Sequence, residues 1–163
     1  MNAKKLTKLA LLSTIALIIF TVEAQIPVPV PIPGVKLGLA NIVTVYAAFT
    51  MAGSDAIMIL LCRIILGSLF TGNMMALMYS LGGGAMCIAV TLLLAKILSR
   101  KQIWIASVVG AIFHNIGQII VAALVMKTLA VLAYLPALLI SGVITGAFTG
   151  FAAQALTQRL DKK

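Results

Sequence analysis

Acidic residues are almost missing from this chain: Glu23, Asp55 and Asp161 stand against twelve Lys and Arg, and His114 is the single histidine. Catalysis by several carboxylates, or a metal site of His, Asp and Glu, is excluded for want of ligands. Charge of either sign is scarce at 9% of residues, while 63% are hydrophobic and the mean hydropathy is +1.19. A water-soluble fold of 163 residues has no interior large enough for that much apolar side chain, because small domains keep a large polar surface. The chain therefore belongs in a membrane. The two cysteines, Cys62 and Cys87, lie in apolar stretches without CxxC spacing; they read as packing residues and say nothing about redox compartment. In a soluble protein the net charge of +9 would point to nucleic acid; here the positive-inside rule accounts for it, and no nucleic-acid partner is expected.

What is present in quantity is uninterrupted apolar sequence. A membrane-crossing helix takes about 20 apolar residues, and residues 64–95, 102–126 and 128–158 hold no Lys, Arg, Asp or Glu. This predicts an all-α integral membrane protein, one domain over 1–163, with six transmembrane helices near 6–23, 38–53, 55–71, 74–98, 102–126 and 129–158. The break between the second and third is only Gly53-Ser54-Asp55, which allows a re-entrant or tilted pair there. Lys4, Lys5 and Lys8 before the first apolar run imitate a signal peptide, but Glu23 falls inside the would-be cleavage region, so the run is read as a retained span. Alternate threading with both termini cytoplasmic puts Lys4, Lys5, Lys8, Lys96, Arg100, Lys101, Arg159, Lys162 and Lys163 inside, and Lys36 and Lys127 outside. The expected location is the bacterial cytoplasmic membrane, as a multi-pass protein in contact with lipid.

The polar residues left inside the spans are the candidates for function. Arg63 lies between Ile59-Leu60-Leu61-Cys62 and Ile64-Ile65-Leu66, where a charge costs from about 2.5 kcal/mol upward. It must face protein or water. Asp55, eight residues earlier, is about 12 Å away along the helix and out of reach; Glu23, at the outer end of the first helix, pairs with Arg63 if the arginine reaches outward. Structural ion pair and ligand anchor stay open for Arg63. On the fifth helix, four-residue spacing aligns Ala106, Gly110, His114, Gln118 and Ala122 on one stripe. Together with Asn115, His114 and Gln118 make a polar centre denser than interhelical hydrogen bonding requires, and a cavity wall is favoured.

Between the first two helices, Ile26-Pro27-Val28-Pro29-Val30-Pro31-Ile32-Pro33-Gly34 alternates proline and forbids both helix and a regular ladder. This outer loop, 26–37, reads as an extended polyproline II connector or as a lid. Lys36 sits near the start of the second helix, where the dipole disfavours a cation; lipid or solvent is the plain destination, an anionic ligand the alternative. Gly142, Gly146 and Gly150 form a small-residue packing track. Gly82-Gly83-Gly84, after Tyr79, either loosens the fourth helix or leaves room for a ligand, with packing as the plain alternative.

The proline-rich loop, Pro33-Gly34-Val35-Lys36-Leu37-Gly38-Leu39-Ala40-Asn41, Leu61-Cys62-Arg63-Ile64-Ile65-Leu66-Gly67-Ser68, Tyr79-Ser80-Leu81-Gly82-Gly83 and Gly110-Ala111-Ile112-Phe113-His114-Asn115-Ile116-Gly117-Gln118 together resemble the Gx transporter family, also labelled heptaprenyl diphosphate synthase component I. The resemblance covers about residues 5–155. That family is similar to the substrate-binding S components of energy-coupling factor (ECF) transporters. The resemblance implies a six-helix S-component-like bundle that captures a vitamin- or cofactor-like small molecule from the outer face, with scaffold and ATPase subunits as partners. Glu23, Lys36, Asn41, Arg63, Tyr79, His114, Asn115 and Gln118 are the expected ligand contacts. The family association also allows a membrane subunit linking quinol to an extracytosolic flavoprotein, with any flavin or quinone bound non-covalently and no intrinsic cofactor. The older label fits poorly with the residues. Prenyl diphosphate chemistry uses aspartate-rich magnesium sites, and Asp55 and Asp161 are isolated. No enzymatic activity of the chain alone is expected, and no Gly-x-x-x-x-Gly-Lys-Ser/Thr loop for ATP occurs.

Overall fold

The structure is a computed structural model and describes residues 2–26 and 36–160. Among them run six α-helices and no strand: α1 (Ala3–Glu23), α2 (Asn41–Thr50), α3 (Gly53–Thr71), α4 (Met74–Ala95), α5 (Ile103–Met126) and α6 (Leu135–Leu160). Local sequence explains most ends. Asn2 and Asn73 accept from the amides of Lys4 and Ala76 and so cap α1 and α4. Gly72, at φ 62°, closes α3 in the left-handed conformation that lacks a Cβ penalty. A 3-10 turn at Arg100–Gln102, capped reciprocally by Ser99 and Gln102, leads into α5. A second one, Leu129–Tyr134, precedes α6 and delays its start beyond the expected 129; Pro136 then takes the second position, where no intrahelical amide bond is lost.

Five helical stretches are long and apolar enough to cross a membrane, and α2 is not. The protein is thus a multi-pass membrane protein. Large apolar side chains such as Phe70, Leu124, Ile140 and Phe148 point outward, as lipid contact requires. Contacts give the helix directions. Lys5 bridges to Asp55 at 2.8 Å, and Gly67 meets the ring of Phe20, so α1 and α3 run parallel. Gly83 meets His114 while Gly110 meets Thr91, so α4 and α5 are antiparallel; Gly142 meets Ala111 and Gly150 meets Trp104, so α5 and α6 are too.

Backbone proximity holds α4, α5 and α6 together. A methyl group built on Gly117 would lie 2.5 Å from the Gly82 carbonyl oxygen, and one on Gly146 would lie 2.8 Å from Val108 Cα. Gly142 and Gly150 sit against Asn115 and Trp104 in the same way. The triple glycine has a packing explanation at each position: Gly82 faces Val121 and Gly117, Gly83 faces His114, and Gly84 faces Ile64 and Leu60 on α3. It is where α4 is wedged between two neighbours.

The second helix departs from expectation. It begins at Asn41 rather than 38 and ends at Thr50, which at 1.5 Å per residue is about 15 Å, half a hydrocarbon core. Gly38 has φ 85°, outside the helical region. Residues 36–40 are therefore irregular backbone inside the bundle. Most of the expected outer loop, 27–35, lies outside the described residues.

Candidate functional site

Irregular backbone away from water must find its hydrogen bonds in the protein, and the segment 36–40 finds them in two buried side chains and one half-buried one. Glu23, the last residue of α1, accepts from the amides of Gly38 and Ala40, the latter at 3.3 Å. Its carboxylate thereby sits at the N-terminus of α2, where the helix dipole favours an anion. Gln118 of α5 accepts from the Lys36 amide and donates to the Lys36 carbonyl, both at 2.9 Å, a side-chain copy of a strand pair. Thr145 of α6 donates to the Leu37 carbonyl at 3.4 Å. Three helices thus hold one short segment at the height of Arg63 on α3.

The remaining charges gather on the ring of Phe20, which Gly67 admits against α3 four residues beyond Arg63. The Lys36 ammonium stands 3.2 Å from the ring centroid and the Arg63 guanidinium carbon 5.7 Å from it. Arg63 donates from Nη2 to Asn41 Oδ1 at 3.0 Å. The expected Glu23–Arg63 pair is not formed: among the described residues the ion pair is Lys5–Asp55, and Glu23 is taken by backbone amides instead. Lys36 likewise departs from the expected lipid or solvent exposure. It is 8% exposed, because the bonds to Gln118 draw its backbone into the bundle.

Of the eight residues expected to meet a ligand, the structure brings six around segment 36–41: Glu23, Lys36, Asn41, Arg63, His114 and Gln118. His114 reaches it through Gly38, where an added methyl would lie 3.1 Å from the imidazole Cδ2 and 2.8 Å from Asn41 Nδ2. Asn115 points instead to α6, donating to the Leu138 carbonyl at 2.5 Å. Tyr79 packs with Ile119, Ala122, Val131 and Leu138 in an apolar cluster. All eight are buried. Phe20, Gly38, Gly67 and Thr145 were not expected. The only trace of them in the sequence is the four-residue spacing of Arg63 and Gly67; Phe20 looks like any apolar residue of a membrane helix.

The cluster holds more donors than it uses. Lys36 Nζ, Asn41 Nδ2 and Arg63 Nε make no hydrogen bond, nor do Thr44 Oγ1, one turn along α2 from Asn41, and Ser68 Oγ beside Gly67. Buried polar atoms without partners are few in native proteins, and each calls for a reason. Among the described residues no three His, Cys, Asp or Glu side chains gather where a metal would bind.

These features define a polytopic helical membrane protein with a charged cluster in its interior. The chain belongs to the family described as heptaprenyl diphosphate synthase component I, whose family model matches residues 12–156. No curated protein and no solved structure matches it.

Proposed function

We propose that the protein is the ligand-binding membrane subunit of an ECF-like uptake system, taking a small molecule from the outer face into the cluster around segment 36–41. The observation that carries this reading is the set of unpaired buried donors on Lys36, Asn41 and Arg63. A purely structural network gains by closing on itself, since an unsatisfied buried polar group costs about 1–3 kcal/mol; a site that receives a ligand keeps its donors unspent. Six crossings with both termini cytoplasmic follow from the distribution of basic residues, α2 and segment 36–40 together making the second crossing. Energy then comes from partner subunits, because the chain has no phosphate-binding loop. The family's description names a synthase. Against catalysis by this chain alone stands its shortage of carboxylates: Glu23 caps α2 and Asp55 is bound to Lys5.

The test is untargeted mass spectrometry of small molecules released from gently purified protein. A molecule retained by the wild type and lost from Arg63→Ala and Arg63→Lys, both folded, supports the reading. Equal retention in all three, or none in the wild type, defeats it. Flavin or quinone absorbance in the same preparation would favour an electron-transfer subunit docked to an extracytosolic flavoprotein.

A further inference from the structure

We infer that the cluster on Phe20 receives a monoanion, a carboxylate in preference to a phosphate, held between the Lys36 ammonium, Arg63 Nε and Asn41 Nδ2. This rests on the ligand-binding reading above and gives that ligand its chemical class. Charge counting leads to it. Lys36 and Arg63 are 8% and 2% exposed, and the acid near them is Glu23, so two buried cations face one buried anion. Both Glu23 oxygens already accept backbone amides. His114, the other titratable group at segment 36–41, brings no negative charge in either protonation state, and Cys87, which faces Arg63 from α4, is a thiol paired with Thr91 at 3.9 Å. The Phe20 ring compensates a cation only partly. One positive charge is left uncovered where the dielectric is low and the cost of that is high.

Donor chemistry narrows the class. Ammonium and guanidinium groups can donate but never accept, so Lys36 and Arg63 cannot satisfy each other. The unpaired donors come from three separate parts of the chain: the 36–40 segment, α2 and α3. A carboxylate offers two oxygens with about four lone-pair sites, enough for all three donors, through the stronger charge-assisted bonds. A neutral amide or alcohol would fill hydrogen bonds and leave the charge. A cation would add to the excess. A phosphate dianion would turn the excess into an equal deficit in the same buried space.

The experiment uses wild type, Lys36→Met and Lys36→Arg in lipid nanodiscs. Released molecules are identified by mass spectrometry, and thermal midpoints of ligand-stripped protein are read in sodium benzoate, sodium phosphate and sodium chloride at equal ionic strength. Expected are a retained carboxylate monoanion, retention reduced about tenfold or more in Lys36→Met and preserved in Lys36→Arg, and a midpoint raised by benzoate but not by phosphate. The stripped Lys36→Met protein should melt higher than stripped wild type, since it has lost the uncovered charge. A retained neutral, cationic or phosphorylated molecule overturns this inference and leaves the binding reading standing; so does equal retention by Lys36→Met. A midpoint that benzoate does not raise overturns the inference alone; if nothing is retained, both readings fall. Should Lys36→Met not fold, the identity of the wild-type molecule and the benzoate–phosphate comparison decide alone.

Discussion

The two halves of this bundle solve the same problem by opposite means. In α4, α5 and α6 the helices are continuous, their backbone groups bond within each helix, and glycines let the backbones approach until a single methyl would collide. In α1, α2 and α3 the second helix is cut to ten residues, and the missing stretch is replaced by irregular chain whose amides and carbonyls are bonded by Glu23, Gln118 and Thr145. Close packing holds the first half together, and from that half Gln118 and Thr145 reach the irregular segment of the second. The broken helix makes the second half polar, and it is there that Lys36 and Arg63 are buried. In a membrane, an interrupted helix requires buried polar side chains, and those side chains then become available for binding.

That contrast can be broken most severely at Glu23. Glu23→Ala removes the acceptor for two amides and the one acid that, among the described residues, lies near two buried cations, and is expected to cost about 3–5 kcal/mol; Glu23→Gln, which keeps one oxygen, should cost less. Thermal or denaturant unfolding in lipid measures both, and a Glu23→Ala protein as stable as wild type would refute the role given to this residue. Next comes the close-packed half. Gly150→Leu forces α6 from α5 at Trp104, more than a turn beyond Thr145, and should cost about 1–3 kcal/mol as overpacking while leaving the ligand contacts in place, so midpoint falls and retention per folded molecule does not. Gln118→Leu should cost a similar or smaller amount, about 1–3 kcal/mol for the unsatisfied Lys36 backbone. Its diagnostic signature is local: faster hydrogen exchange at residues 36–41 with α4 and α6 unchanged.

Much of this was legible in the chain. The helix positions follow from charge-free runs, and α1, α3, α4 and α5 fall within a few residues of expectation because hydropathy and caps such as Asn73 and Gly72 are local signals. The stripe Ala106, Gly110, His114, Gln118 and Ala122 is buried along its whole length, as four-residue spacing implies. The start of α2 was not legible. It is cut short by an acceptor eighteen positions before Asn41, at Glu23, and nothing near Gly38 announces that partner. Nor did composition distinguish Phe20 from the apolar residues around it, since its role comes from Gly67 on another helix.

The sequence by itself determined that the protein lives in a membrane, where its long helices lie, and that Arg63, His114 and Gln118 had to be turned away from lipid, because those outcomes depend on transfer energies summed over short windows. Tertiary structure alone decided the partners. Glu23 serves backbone amides rather than Arg63, Lys36 turns inward onto Phe20 rather than out to the surface, and Asn115 and Tyr79 face away from the cluster that Asn41 joins. Which donor meets which acceptor is set by the register of one helix against another, and that register is fixed by glycine contacts between residues far apart in the chain.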